Sequence, residues 1–189
     1  MVRYEKGHKG ETRQHILNAA SKRFRQGGLA QGIGTIMKGA GLTHGGFYAH
    51  FRSKEDLIRE SLLLASAKKR KGFANAAKRG GLDGLVSEYL SEAHRDRPDI
   101  GCTFASLISE LGRLSRKSRT LFAQELDAYF DLIASLLLDQ SEAERRRKAM
   151  QVYGIMLGSL QLARATTNPE TASWIMTVGA EAAIELAKK

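Results

Sequence analysis

The chain has little of what builds catalytic centres and disulfide-bonded folds. Among 189 residues there is one cysteine, Cys102, which excludes an intramolecular disulfide and any cysteine-based metal cluster. There are two prolines, Pro98 and Pro169, and strand-like alternation of polar and apolar residues is absent. An all-helical chain is therefore expected. No apolar run is long enough to span a bilayer, and the polar N-terminus carries no signal-peptide core. A cytoplasmic protein with no membrane partner is the expectation. The histidines His8, His15, His44, His50 and His94 show no metal-ligand spacing with a carboxylate. A phosphate loop, a nucleophile elbow and a dinucleotide fingerprint are missing too. The sequence predicts no enzyme, no cofactor and no metal.

Positive charge is plentiful and unevenly placed. The net charge is +10, and residues 1–80 hold 17 Lys and Arg against 5 Asp and Glu. Residues 81–189 hold 13 against 15, so the whole basic excess lies in the first part. Such a surface attracts nucleic acid by counterion release. It would also attract an anionic membrane, but no long basic amphipathic helix with Trp or Phe anchors accompanies it. The run Lys68-Lys69-Arg70-Lys71 reads as the solvated C-terminal end of a long helix, where cations suit the macrodipole.

Within the basic part, Ile33 to Lys54 reads IGTIMKGAGLTHGGFYAHFRSK. Ile33, Ile36, Met37 and Ala40 form one helical stripe. Gly41 stands where a turn needs positive φ, and Leu42 supplies an apolar plug. Thr43 is the expected N-cap of a second short helix, His44 to Phe51. Phe47 and Phe51, four apart, share its buried side and leave His44, Tyr48 and His50 outward. Ser53 is the expected N-cap of the next helix, with Asp56 as a weak capping-box partner. Two short helices joined by a glycine-containing turn predict a helix-turn-helix. Gly39, Gly45 and Gly46 each cost about 1 kcal/mol against Ala in a helix. They signify either close backbone approach to a phosphate or neighbouring helix, or a loosened helix.

The segment AGLTHGGFYAHFRSKEDL resembles the end of the DNA-binding domain of the tetracycline-repressor (TetR/AcrR) family of bacterial transcription regulators. The resemblance covers roughly Thr12 to Leu62. It implies that Thr43, His44 and Gly45 enter the major groove, with Tyr48, His50 and Lys54 on phosphates. It also implies a homodimer on a palindromic double-stranded DNA operator, released by a small-molecule effector. The expected domains are a helix-turn-helix unit over 1–52, a long connecting helix over 53–80, and an effector-binding and dimerisation bundle over 81–189, with about nine helices in all.

The remaining helices are read from periodicity. They are Glu11 to Gln26, Ser53 to about Ala77, Leu82 to Ala93, Gly101 to Leu114, Ser118 to Leu138, Ser141 (with Glu144 as capping partner) to Ala165, and Pro169 or Glu170 to Ala187. Gly154 and Gly158 clear a small-residue strip on the penultimate helix, and Gly179, Ala180, Ala182 and Ala183 on the last, beside Trp174, Ile175 and Val178. These strips are candidates for a two-fold interface or for packing within one chain. Phe104, Ile108, Phe122, Leu126, Tyr129, Phe130, Tyr153 and Gln161 are the candidate lining of an effector cavity. Cys102, at the start of a helix, is a candidate redox or electrophile sensor or else a small core residue.

Overall fold

The structure, a computed structural model, describes residues 6–137 and 141–188. The expected helix end at Leu138 lies outside the described residues. Every regular element among those described is helical. α1 spans Lys6–Gly27 and α2 spans Ile33–Gly39, followed by a 3₁₀ turn over His44–Ala49. α3 spans Lys54–Tyr89, α4 Glu92–Asp96, and a second 3₁₀ turn Pro98–Ile100. α5 spans Thr103–Leu111, α6 Arg116–Ala134, α7 Glu142–Ala165 and α8 Pro169–Lys188.

α1 buries Ile16, Leu17, Ala20 and Phe24, the stripe its periodicity predicts, and ends where Gly28 takes φ +81°. α3 is helical from Lys54 until Gly80 and Gly81 leave the helical region, Gly81 at φ +59°. The chain then folds back along itself. Phe73 and Tyr89 meet at 5.0 Å between ring centres, and Lys69 pairs with Glu88 at 3.6 Å. The expected helix over Leu82 to Ala93 is therefore two pieces, ending at Tyr89 and resuming at Glu92. Ser91 caps the second piece by accepting from the His94 amide.

The Lys68–Lys71 run does not end a helix. It sits in the middle of the first arm of α3, where Arg70 also bonds Glu125 of α6 at 3.1 Å. Glu125 and Glu88 lie 55 and 19 positions away, too far for a local reading to find.

α7 starts with the predicted capping box, in which Ser141 accepts from the Glu144 amide and the Glu144 carboxylate accepts from Ser141. α7 and α8 pack along their length. Gly179 is buried there, and a Cβ on it would stand 2.1 Å from Ser159 Oγ. Ala183 is also buried. For these two small residues the structure selects the second of the two alternatives, packing within the chain.

Candidate nucleic-acid interface

The helix-turn-helix is built around a Schellman turn. Gly41 takes φ +68°, its amide donates to Lys38 O at 3.0 Å, and the Leu42 amide donates to Met37 O at 2.9 Å. Those bonds satisfy the last carbonyls of α2, and half-buried Leu42 closes the elbow. The following turn is 3₁₀ over His44–Ala49, shorter and tighter than the helix expected to Phe51. Thr43 is extended, as an N-cap residue is, but its side chain makes no cap bond. It is left exposed.

Phe47 is fully buried and stacks on buried Phe51, centres 5.7 Å apart. The Arg13 guanidinium lies 4.8 Å over the other aromatic of that pair, Phe51, and pairs with Glu60. This anchor fixes α1, the 3₁₀ turn and α3 together. It leaves Thr43, His44 and Gly45 exposed and Tyr48 69% exposed. A Cβ on Gly45 would meet nothing within 4 Å, so no neighbour within the chain requires glycine there.

His50 differs from expectation. It is half-buried, its Nδ1 is enclosed without a partner, and burial, then Lys9 and Arg13, lower its pKa. The pull of Phe51 into the core draws its neighbour partly inward.

Lys54 occupies the first turn of α3, half-buried, behind the Ser53 cap that accepts from the Asp56 amide at 3.1 Å. Asp56 does not complete a capping box; its carboxylate takes Arg59 instead.

Three polar contacts tie this unit to the bundle, and local sequence reasoning missed all of them. Arg25 Nη1 donates to Gly101 O at 2.7 Å. The Leu29 amide donates to Glu110 of α5 at 2.7 Å. Glu55 accepts from the Ser115 amide and from the hydroxyls of Ser115 and Ser118 at the start of α6. The two hydroxyls, chiefly, hold the Glu55 carboxyl below its ordinary pKa. Each partner lies at least 60 positions away, so only the tertiary fold could reveal them.

The expected effector residues divide. Phe104, Ile108, Phe122 and Leu126 line an open cleft of about 200 Å³ between α5 and α6. Tyr129 and Tyr153 are instead closed in an aromatic cluster, 5.3 Å apart, with Phe130 5.8 Å from Tyr153. Gln161 reaches from α7 to donate to Ala105 O at 3.3 Å.

Cys102 is wholly buried, its Sγ 3.3 Å from Tyr153 Oη. Its amide donates to His94 Nε2 at 2.9 Å, while His94 Nδ1 faces Tyr89 O at 2.6 Å. That pattern fixes the neutral tautomer with the proton on Nδ1. The ring is beside the cysteine, but its lone pair is occupied by an amide and cannot accept the thiol proton.

On the outer face of α7 and α8, Gly154 is exposed and Gly158 half-buried, and a Cβ on either would meet nothing within 4 Å. Around them Met150, Leu162, Trp174 and Val178 are exposed, with Ile175 half-buried.

Among the described residues, no three His, Cys, Asp or Glu side chains converge on a metal-sized site, and no helix is long and apolar enough to cross a membrane.

Residues 16–61 match the sequence model of the bacterial regulatory proteins of the tetR family. Over 61 residues the chain is 46% identical to the HTH-type transcriptional regulator AcrR of Shigella flexneri. That likeness covers 32% of this chain and 28% of the relative. Solved structures extend the likeness in fold. The reduced form of Escherichia coli NemR aligns with TM-score 0.76 at 20% identity, over 93% of this chain and 97% of that one. SCO4454, a TetR-family transcriptional regulator from Streptomyces coelicolor, aligns with TM-score 0.72 at 22% identity, over 95% and 97%.

Proposed function

We propose that this chain, which belongs to the tetR family, is a sequence-specific DNA-binding transcriptional repressor released from its operator by a small-molecule effector. The observation that carries the reading is the exposed edge Thr43-His44-Gly45 with Tyr48, held outward by the buried Phe47–Phe51 pair. It lies in the part of the chain that holds the whole basic excess. Thr43, His44 and Gly45 contact bases, His44 foremost, and Tyr48 and Lys54 hold phosphates. His50 is half-buried, its charged form is disfavoured by burial, Lys9 and Arg13, and it contributes a hydrogen bond.

A six-residue reading element touches few bases, so specificity calls for two half-sites and a homodimer. The exposed apolar strip of α7 and α8, with Trp174 65% and Leu162 62% exposed, supports that pairing. The effector acts by binding the DNA-incompetent arrangement more tightly than the competent one. The contacts at Arg25, Leu29 and Glu55 are the route by which the bundle moves the reading head.

The test is selection of bound fragments from random duplex DNA by the purified, refolded protein with Cys102 reduced. A symmetric motif with two half-sites is expected. Uniform recovery of all sequences would overturn the reading in favour of electrostatic binding alone.

A second reading makes Cys102 a thiol switch. It rests on the contact of the thiol with Tyr153, which joins the start of α5 to α7, so a modified sulfur would part the two. Alkylation of Cys102 without change in operator affinity would exclude it.

A further inference from the structure

A cleft of about 370 Å³ opens between α1, the first arm of α3 and the Pro98–Ile100 turn. Its size falls within the range of small-molecule sites. Lys22, Arg25, Lys68 and Lys69 line it, and no acidic residue does. Its other wall is apolar, with Leu64 and Ile100 both left exposed.

The cations are short of partners. Lys69 pairs with Glu88, but among the described residues Arg25, Lys22 and Lys68 have no carboxylate within ion-pair distance. Arg25 is buried, and its two bonds go to neutral carbonyls, Ser21 O at 3.1 Å and Gly101 O at 2.7 Å. The nearby carboxylate of Asp99 is engaged by Arg97 at 3.0 Å. A guanidinium taken from water without a counter-charge favours any anion that reaches it.

We propose that this cleft binds a small organic anion, a carboxylate on an apolar body, with the head against Arg25, Lys22 and Lys68 and the body along Leu64 and Ile100. The inference deepens the effector reading, on which its regulatory meaning rests. The ligand touches α1, which is anchored to the reading turn through Arg13 and Phe51, and α3, which connects that turn to the bundle. It also abuts the turn whose Gly101 carbonyl Arg25 holds. Occupancy therefore biases the same junction that Leu29–Glu110 and Glu55–Ser115 span. DNA phosphates are the competing occupant. The α3 residues of the cleft, Ser61 to Gly72, stand roughly 10 to 27 Å along the helix axis from Lys54, at 1.5 Å per residue.

Calorimetry on the full chain, free of DNA, tests the site with three probes: decanoate, decyltrimethylammonium and inorganic phosphate. Decanoate is expected to bind saturably, phosphate at least about tenfold more weakly, and the cationic amphiphile not at all. Lys22→Glu with Lys68→Glu, and separately Leu64→Glu, change exposed side chains that the fold does not need. Each is expected to weaken decanoate about tenfold or more. Decanoate binding that both variants retain, no binding at millimolar concentrations, or equal binding of the cationic amphiphile would overturn the site. So would a loss of operator affinity in the double-lysine variant, without decanoate, as large as that of Lys54→Ala, which would assign the cleft to DNA. A chain that selects an operator but takes up no decanoate sinks the site alone. One that binds decanoate but selects no operator sinks the operator reading alone.

Discussion

Lys54→Ala isolates the electrostatic part of the proposed DNA contact. Lys54 is half-buried in the first turn of α3, and the cap behind it rests on Ser53, not on the lysine. Alanine is the best helix former, so the substitution removes a charge and leaves the helix start intact. In a homodimer it removes two phosphate contacts. Each neutralised phosphate contributes about −0.9 to the slope of log affinity against log salt, so the slope flattens by about 1.8. Between about 50 and 200 mM salt, the variant's loss of affinity is then about twelvefold smaller than the wild type's.

Fluorescence anisotropy with the selected duplex measures both slopes. Lys78→Ala is the control: exposed, and about 36 Å further along α3 at 1.5 Å per residue, several Debye lengths from Lys54. It should leave the slope alone. His44→Ala should act differently, relaxing preference at one base position by about 1–3 kcal/mol while keeping the salt dependence. If Lys54→Ala bound like wild type at every salt concentration, or Lys78→Ala flattened the slope equally, the assignment of roles would be wrong.

Three further outcomes are expected. Gly179→Ala forces a methyl into Ser159 and should destabilise the fold by about 1–3 kcal/mol in urea unfolding. Adding Ser159→Gly should restore most of that, and additive losses would refute the contact. Leu162→Glu places a charge on the exposed strip and should halve the mass seen by light scattering, whereas an unchanged mass would locate the dimer contact elsewhere. His94 is pushed down to about 3, by burial above all, with Lys69, Arg164 and Arg25 adding to the fall against the opposing bond to Tyr89. The folded chain therefore keeps it neutral while the unfolded chain protonates it near 6.5. Its stabilising effect is full above that value and declines by up to about 1.4 kcal/mol per unit as pH falls toward 3. His94→Gln should show a shallower acid slope in urea unfolding, and parallel curves would disprove the linkage.

Much of this protein is set by local chemistry and is legible residue by residue. The α1 stripe, the Gly41 turn, the Gly80-Gly81 break, the Ser53 cap and the Ser141–Glu144 box each follow from side chains within four positions of one another. The burial of Phe47 and Phe51 follows the same way, and with it the outward face of Thr43, His44 and Tyr48. Charge placement needs only counting.

What the tertiary structure alone decided are meetings between distant positions. Arg25 meets Gly101, Leu29 meets Glu110, and Glu55 meets Ser115 and Ser118 across 60 residues or more. Periodicity shows that a helix has an apolar or small-residue face, but not which neighbour covers it. Gly179 and Ala183 therefore read like Gly154 and Gly158, although the first pair is buried, Gly179 against Ser159 of α7, and a Cβ on either of the second would meet nothing within 4 Å. For the same reason Tyr129 and Tyr153 read as cavity wall and are solid core. Lys68 and Lys69 of the Lys68–Lys71 run read as a solvated helix end until the fold brings Arg25 and Lys22 alongside them. Local sequence specifies which surfaces exist; the way α1 and α3 pack specifies which of them meet.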